Sequence, residues 1–114
     1  MHLLKLALVV LLFSLATACA AAVGDECSSN TDCGRELVCD TSMPGGYCTR
    51  SNCETSSCPE EGVCIEFPDQ SRFCMLRCEG GSDCRDGYQC VSNWGDLPFC
   101  SAAPYSEAQT TPAN

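Results

Sequence analysis

Twelve cysteines between Cys27 and Cys100 fall into three copies of one spacing, C-x(4,5)-C-x5-C-x(8,9)-C. The copies are Cys27, Cys33, Cys39 and Cys48; Cys53, Cys58, Cys64 and Cys74; and Cys78, Cys84, Cys90 and Cys100. Thiols at this density can pair as disulfides, ligate a metal or exchange electrons with another thiol. Zinc and iron–sulfur sites draw on C-x2-C pairs, because two thiolates from one tight turn then reach the same ion. Neither C-x2-C nor C-x-C occurs, the shortest interval being Cys74 to Cys78, which also counts against a thiol oxidoreductase. Disulfides are the expected chemistry, with no metal and no other cofactor.

The elements that must position these sulfurs repeat with them. The copies start 26 and 25 residues apart, and each has an aromatic residue before its fourth cysteine: Tyr47, Phe73 and Phe99. Asp32 and Asp83 precede the second cysteine in copies one and three, with Ser57 in that place in copy two. Between the third and fourth cysteines lie Pro44-Gly45-Gly46, Pro68-Asp69-Gln70-Ser71 and Asn93-Trp94-Gly95-Asp96, which are turn residues. Each copy therefore reads as a short loop feeding a small β-hairpin, with strands near 37–40 and 46–49, 63–66 and 72–75, and 88–92 and 98–101. The expected fold class is small and disulfide-rich: three tandem loop-plus-hairpin units with little regular secondary structure, after an N-terminal signal helix. Four cysteines per copy allow three pairings, and spacing alone does not choose among them. We expect first-to-third with second-to-fourth, because interleaved bridges tie the loop to both hairpin strands.

The start of the chain reads as an export signal. Residues 1–5 are weakly basic, 6–16 are apolar and 17–22 are small, and the apolar run is shorter than the ~20 residues a bilayer requires. Cys19, the thirteenth cysteine, stands outside the repeats. Leu15-Ala16-Thr17-Ala18 before it resembles the lipobox of bacterial lipoproteins, although Leu15 sits one place further back than is usual. That resemblance implies lipidation of Cys19 and a membrane tether; the alternative is ordinary cleavage among the alanines up to residue 22. The expected division is a signal peptide at 1–18 (1–22 for ordinary cleavage), a linker at 19–26, units at 27–48, 53–74 and 78–100, and a disordered tail at 101–114.

Beyond residue 22 there is no histidine or lysine, and five arginines against fifteen carboxylates leave a side-chain charge of −10. That balance excludes nucleic acid as a partner, since such binding demands a basic face. Serine chemistry lacks an ordinary base. Glu60 with Glu61, and Asp83 with Asp86, are carboxylate pairs, but they read as solvated acidic loops in a chain too small to form a deep pocket. Asp25, Glu26 and Asp32 could attract calcium, although no EF-hand ladder is present. Bulky apolar residues are few, so staples must supplement the core.

The cysteine spacing, the Asp-Cys pair and the aromatic before the fourth cysteine resemble a group of secreted proteins and lipoproteins of myxobacteria and related bacteria, over Cys27 to Cys100. The likeness implies location and architecture, not an activity. The expected function is an exported, lipid-anchored structural or binding module of the cell envelope, at the outer membrane or extracellular, without catalysis, whose partner is an unidentified protein or envelope component. The alternative is a diffusible cysteine-rich inhibitor or effector. Trp94, in a loop with no bulky equivalent in the other copies, is the candidate partner contact, against the simpler reading that it covers its own hairpin beside Phe99. Arg35 could anchor a trypsin-like protease, or simply be solvated.

Overall fold

The computed structural model of the protein describes residues 1–14 and 21–102; Cys19 and positions 103–114 lie outside the described residues. The apolar run near the N-terminus forms α1, His2–Ser14. No helix among the described residues is long and apolar enough to cross a membrane.

Three antiparallel hairpins follow. They pair β1 (Val38–Asp40) with β2 (Tyr47–Thr49), β3 (Gly62–Glu66) with β4 (Arg72–Leu76), and β5 (Tyr88–Val91) with β6 (Phe99–Ala102). In each, the third and fourth cysteines stand directly opposite one another: Cys39 with Cys48, Cys64 with Cys74, Cys90 with Cys100. Opposed residues of an antiparallel pair project from the same face. The loop before each hairpin lies on that face and supplies both partners, so neither cysteine bonds across the ladder. The six bridges are Cys27–Cys39, Cys33–Cys48, Cys53–Cys64, Cys58–Cys74, Cys78–Cys90 and Cys84–Cys100. They span 11 to 16 residues, and a closed loop of about 15 residues contributes roughly 3 kcal/mol by restricting the unfolded chain.

The turns follow from residue type. At Gly46 φ is +75°, and a Cβ there would lie 1.9 Å from the Cys27 carbonyl oxygen, so only glycine fits. In the middle hairpin Pro68 and Asp69 form the turn, with Gln70 left-handed at φ 71° and the Gln70 N–H donating to the Phe67 carbonyl at 2.8 Å.

The connectors pair with the hairpins through isolated bridges and backbone hydrogen bonds. Gly24 N–H donates to the Cys48 carbonyl (2.9 Å) and Cys48 N–H to that of Asp25 (3.0 Å), adding residues 24–25 to the free edge of β2. Asn52 and Arg50 do the same for β4 through Arg72 and Cys74, and Arg77 bridges Phe99 on β6. The stretch read as a linker at 19–26 thus contains Val23, which has no exposed surface. The ordered fold also passes Cys100, with Ser101 buried in β6 rather than at the head of a tail. Pairing is the reason in both cases, because an open strand edge otherwise leaves its N–H and C=O groups unpartnered. The two connectors between units continue β2 and β4 onto the next unit, and Val23, Tyr47, Ile65, Met75 and Phe99 close into one shared core.

Candidate functional site

The sulfurs are the first group to place. In each unit three Sγ atoms from two different bridges lie within 4.8 Å of one another: Cys27, Cys33 and Cys39; Cys53, Cys58 and Cys64; Cys78, Cys84 and Cys100. A metal would need thiolates there, and these sulfurs are already spent in disulfides.

The residue before the second cysteine closes the lead-in loop. Asp32 Oδ2 accepts the N–H groups of Ser28 (2.8 Å) and Ser29 (3.1 Å), and Asp83 Oδ2 accepts those of Glu79 (2.8 Å) and Gly80 (3.1 Å). Each caps a short 3₁₀ turn, Asn30–Asp32 and Gly81–Asp83. The donated N–H of Glu79, then that of Gly80, hold the Asp83 carboxyl below the usual aspartate range. Ser57 performs the task in unit 2, its hydroxyl accepting Glu54 N–H at 2.8 Å and donating to the Glu54 carbonyl at 3.1 Å. Of the other acids, Asp25 accepts the Ala22 N–H and the half-buried Glu61 that of Val23, while Glu26, Glu60 and Asp86 are exposed.

Residues unique to one copy join the units. The Tyr47 hydroxyl donates to the Cys100 carbonyl (3.0 Å) and accepts Leu76 N–H (2.9 Å), so one side chain of unit 1 holds unit 3 and the connector before it. Burial pushes the Tyr47 hydroxyl up to about 12. Thr49 donates to the Cys74 carbonyl at 2.7 Å. Arg85 reaches from unit 3 to the carbonyls of Gly24 and Pro44, 2.8 Å each, and to that of Gly46. Its guanidinium lies 4.4 Å from the centre of the Tyr88 ring. Arg35, aligned near it in unit 1, is exposed.

Trp94 is half-buried, and its indole N–H donates to the Glu66 carbonyl at 2.9 Å. The ring therefore covers the middle unit rather than its own hairpin alone. At Gly95 a Cβ would come within 2.6 Å of Ile65 Cδ1, so this glycine sets how closely the loop can approach.

The apolar surface left open lies elsewhere. A groove of about 390 Å³ runs between units 1 and 2, with Tyr47, Thr49 and Met75 at its floor and Met43, Phe67 and Phe73 beside them. Its charged lining residues are Asp40 and Asp69, one from each unit, and no arginine lines it. The two rims are built alike. Each aspartate accepts, through Oδ1, the N–H (3.0 Å) and the hydroxyl of the serine two residues on, Ser42 and Ser71. The Ser71 hydroxyl, then its N–H, pull the Asp69 carboxyl below the usual range. The repeated Asp-x-Ser at 40–42 and 69–71 is the sequence signal for these rims.

Comparison with known proteins finds no matching family model, no matching curated protein and no matching solved structure.

Proposed function

We propose that the protein is an exported, non-catalytic module of the cell envelope, tethered through lipid on Cys19 and presenting its three stapled units as a rigid binding or structural element. The observation that carries this reading is the pairing of all twelve cysteines from Cys27 to Cys100, a state that forms and persists in an oxidising compartment. The composition supports the absence of catalysis, since beyond residue 22 there is no histidine or lysine to activate a serine.

The N-terminal segment supports a start at or before Ala21. Ala21 N–H donates to the Asp32 carbonyl, and its own carbonyl accepts Gly34 N–H at 2.8 Å, so cleavage after Ala22 would remove a residue that pairs with unit 1. Processing at Cys19 retains it, as does ordinary cleavage after Ala20. The test is an intact mass, without reduction, of the mature protein recovered from fractionated cells. The reading requires membrane-fraction protein that begins at Cys19, carries acyl chains and lacks twelve hydrogens for six bridges. A lipid-free chain in the medium, beginning near Ala21 or Val23, would replace the tether with a diffusible effector.

A further inference from the structure

The groove between units 1 and 2 combines a buried apolar floor with placed charge, and its polar inventory restricts what it can hold. The Tyr47 hydroxyl is committed to Cys100 and Leu76, and that of Thr49 to Cys74, so the floor offers apolar contact. Phe67 and Phe73, with ring centres 6.2 Å apart and tilted by 58°, add an aromatic wall that remains half-exposed. Polar recognition falls to Asp40 and Asp69. Each uses Oδ1 on its own turn, leaving Oδ2 outside those bonds. Both turns lock the carboxylate in place before a ligand arrives, which lowers the ordering cost of binding.

We infer that this groove docks a short peptide segment of a partner protein in which an apolar side chain stands next to arginine or lysine. This rests on the module reading above and names its partner's chemistry. The apolar side chain fills the floor over Met75 and Tyr47 while the cation meets a carboxylate on the rim. The groove lies within the 300–1,000 Å³ range of ligand sites. The chain's charge of −10 beyond the leader, with fifteen carboxylates against five arginines, reinforces the preference at longer range. An anionic segment meets repulsion from both rims and no compensating cation in the lining.

The test is an NMR titration of the exported, fully oxidised protein, labelled with ¹⁵N, with blocked dipeptides. Ac-Phe-Arg-NH2 is expected to saturate shifts at the Thr49, Phe73 and Met75 amides with a dissociation constant on the order of 0.1–1 mM. Ac-Phe-Gln-NH2 should bind more weakly at the same amides, and Ac-Phe-Glu-NH2 should not bind. The double variant Asp40→Asn, Asp69→Asn keeps the serine-accepting oxygens; it should bind Ac-Phe-Arg-NH2 roughly fivefold more weakly and leave Ac-Phe-Gln-NH2 unchanged. Equal binding of the glutamate and arginine peptides, shifts centred on the Trp94 loop, or no saturable shift would overturn the proposal. Tighter binding of phenethylamine than of Ac-Phe-Arg-NH2 would overturn it in favour of a small amine. The titration is independent of lipidation, so a tethered protein that ignores the peptides and a diffusible one that binds them are separate results.

Discussion

Units 1 and 3 close their lead-in loops with the same device, an aspartate that gathers two backbone N–H groups over a 3₁₀ turn, whereas unit 2 uses the hydroxyl of Ser57 and forms no such turn. The aligned aromatics differ in another way. Tyr47 and Phe99 are 1% and 0% exposed, while Phe73 is left half-exposed at the groove. Residues that repeat build a unit and tolerate exchange, as aspartate for serine shows. Residues that do not repeat, such as the hydroxyl on Tyr47, the guanidinium of Arg85 and the Trp94 indole, bind the units to one another. Side-chain hydrogen bonds from Tyr47, Arg85 and Tyr88 join units 1 and 3, whereas Thr49, Trp94 and the pairing of the connectors join unit 2 to its neighbours.

The comparison would break first at the staples. Replacing Cys58 and Cys74 by serine should cost about 2–5 kcal/mol in urea unfolding. If the units share one core, protection should fall in all three rather than in the middle one alone. Next come the non-repeated residues. Tyr47→Phe leaves the Cys100 carbonyl and the Leu76 N–H unpaired and should cost about 1–3 kcal/mol by the same measurement. Phe73→Leu, at the aligned position, should cost under about 1.5 kcal/mol, because a half-exposed site loses less packing. Trp94→Ala should cost about 1–2 kcal/mol through its lost packing and its bond to the Glu66 carbonyl.

Two pH effects sharpen the contrast further. The hydroxyl of Tyr47 is raised from 10.0 to about 12, so its contribution is complete below pH 10 and is lost as pH rises from there towards 12. Ultraviolet titration of wild type against Tyr47→Phe should assign the last tyrosinate to form to Tyr47. The smallest effect belongs to Asp83. Its folded carboxyl lies below 3.8, so its contribution is present above that pH and is lost as pH falls through the depressed value. Asp83→Asn should flatten the acid limb of the stability curve, and Ser57→Ala should leave it unchanged, since serine does not titrate there.

The hairpins were legible because a strand pair with a short turn places two cysteines opposite each other at the observed spacing, and the turn residues at 44–46 and 68–71 mark where the chain reverses. Interleaved pairing was also open to reasoning, since it ties one loop to both strands. The pairing of the connectors left no such trace. Residues 21–25 and 50–52 carry no alternating pattern, and their pairing is decided by the edge that β2 and β4 leave open. Cross-unit bonds are likewise choices between distant residues. Arg85 is distinguished only by its place after a second cysteine in an acidic chain, and Tyr47 only by a hydroxyl where the other copies have phenylalanine. The groove was hidden because its lining is assembled from different copies, each of which reads as complete alone.

The most direct test of a single stitched body is native-state hydrogen exchange of the oxidised protein at the Leu76 amide, which is held by a tyrosine 29 residues away in another unit. The account predicts that Leu76, Cys48 and Cys74 open with one common free energy, and that Tyr47→Phe lowers all three together. Independent opening of the three units, with Leu76 unaffected by Tyr47→Phe, would contradict it and leave three separate stapled beads.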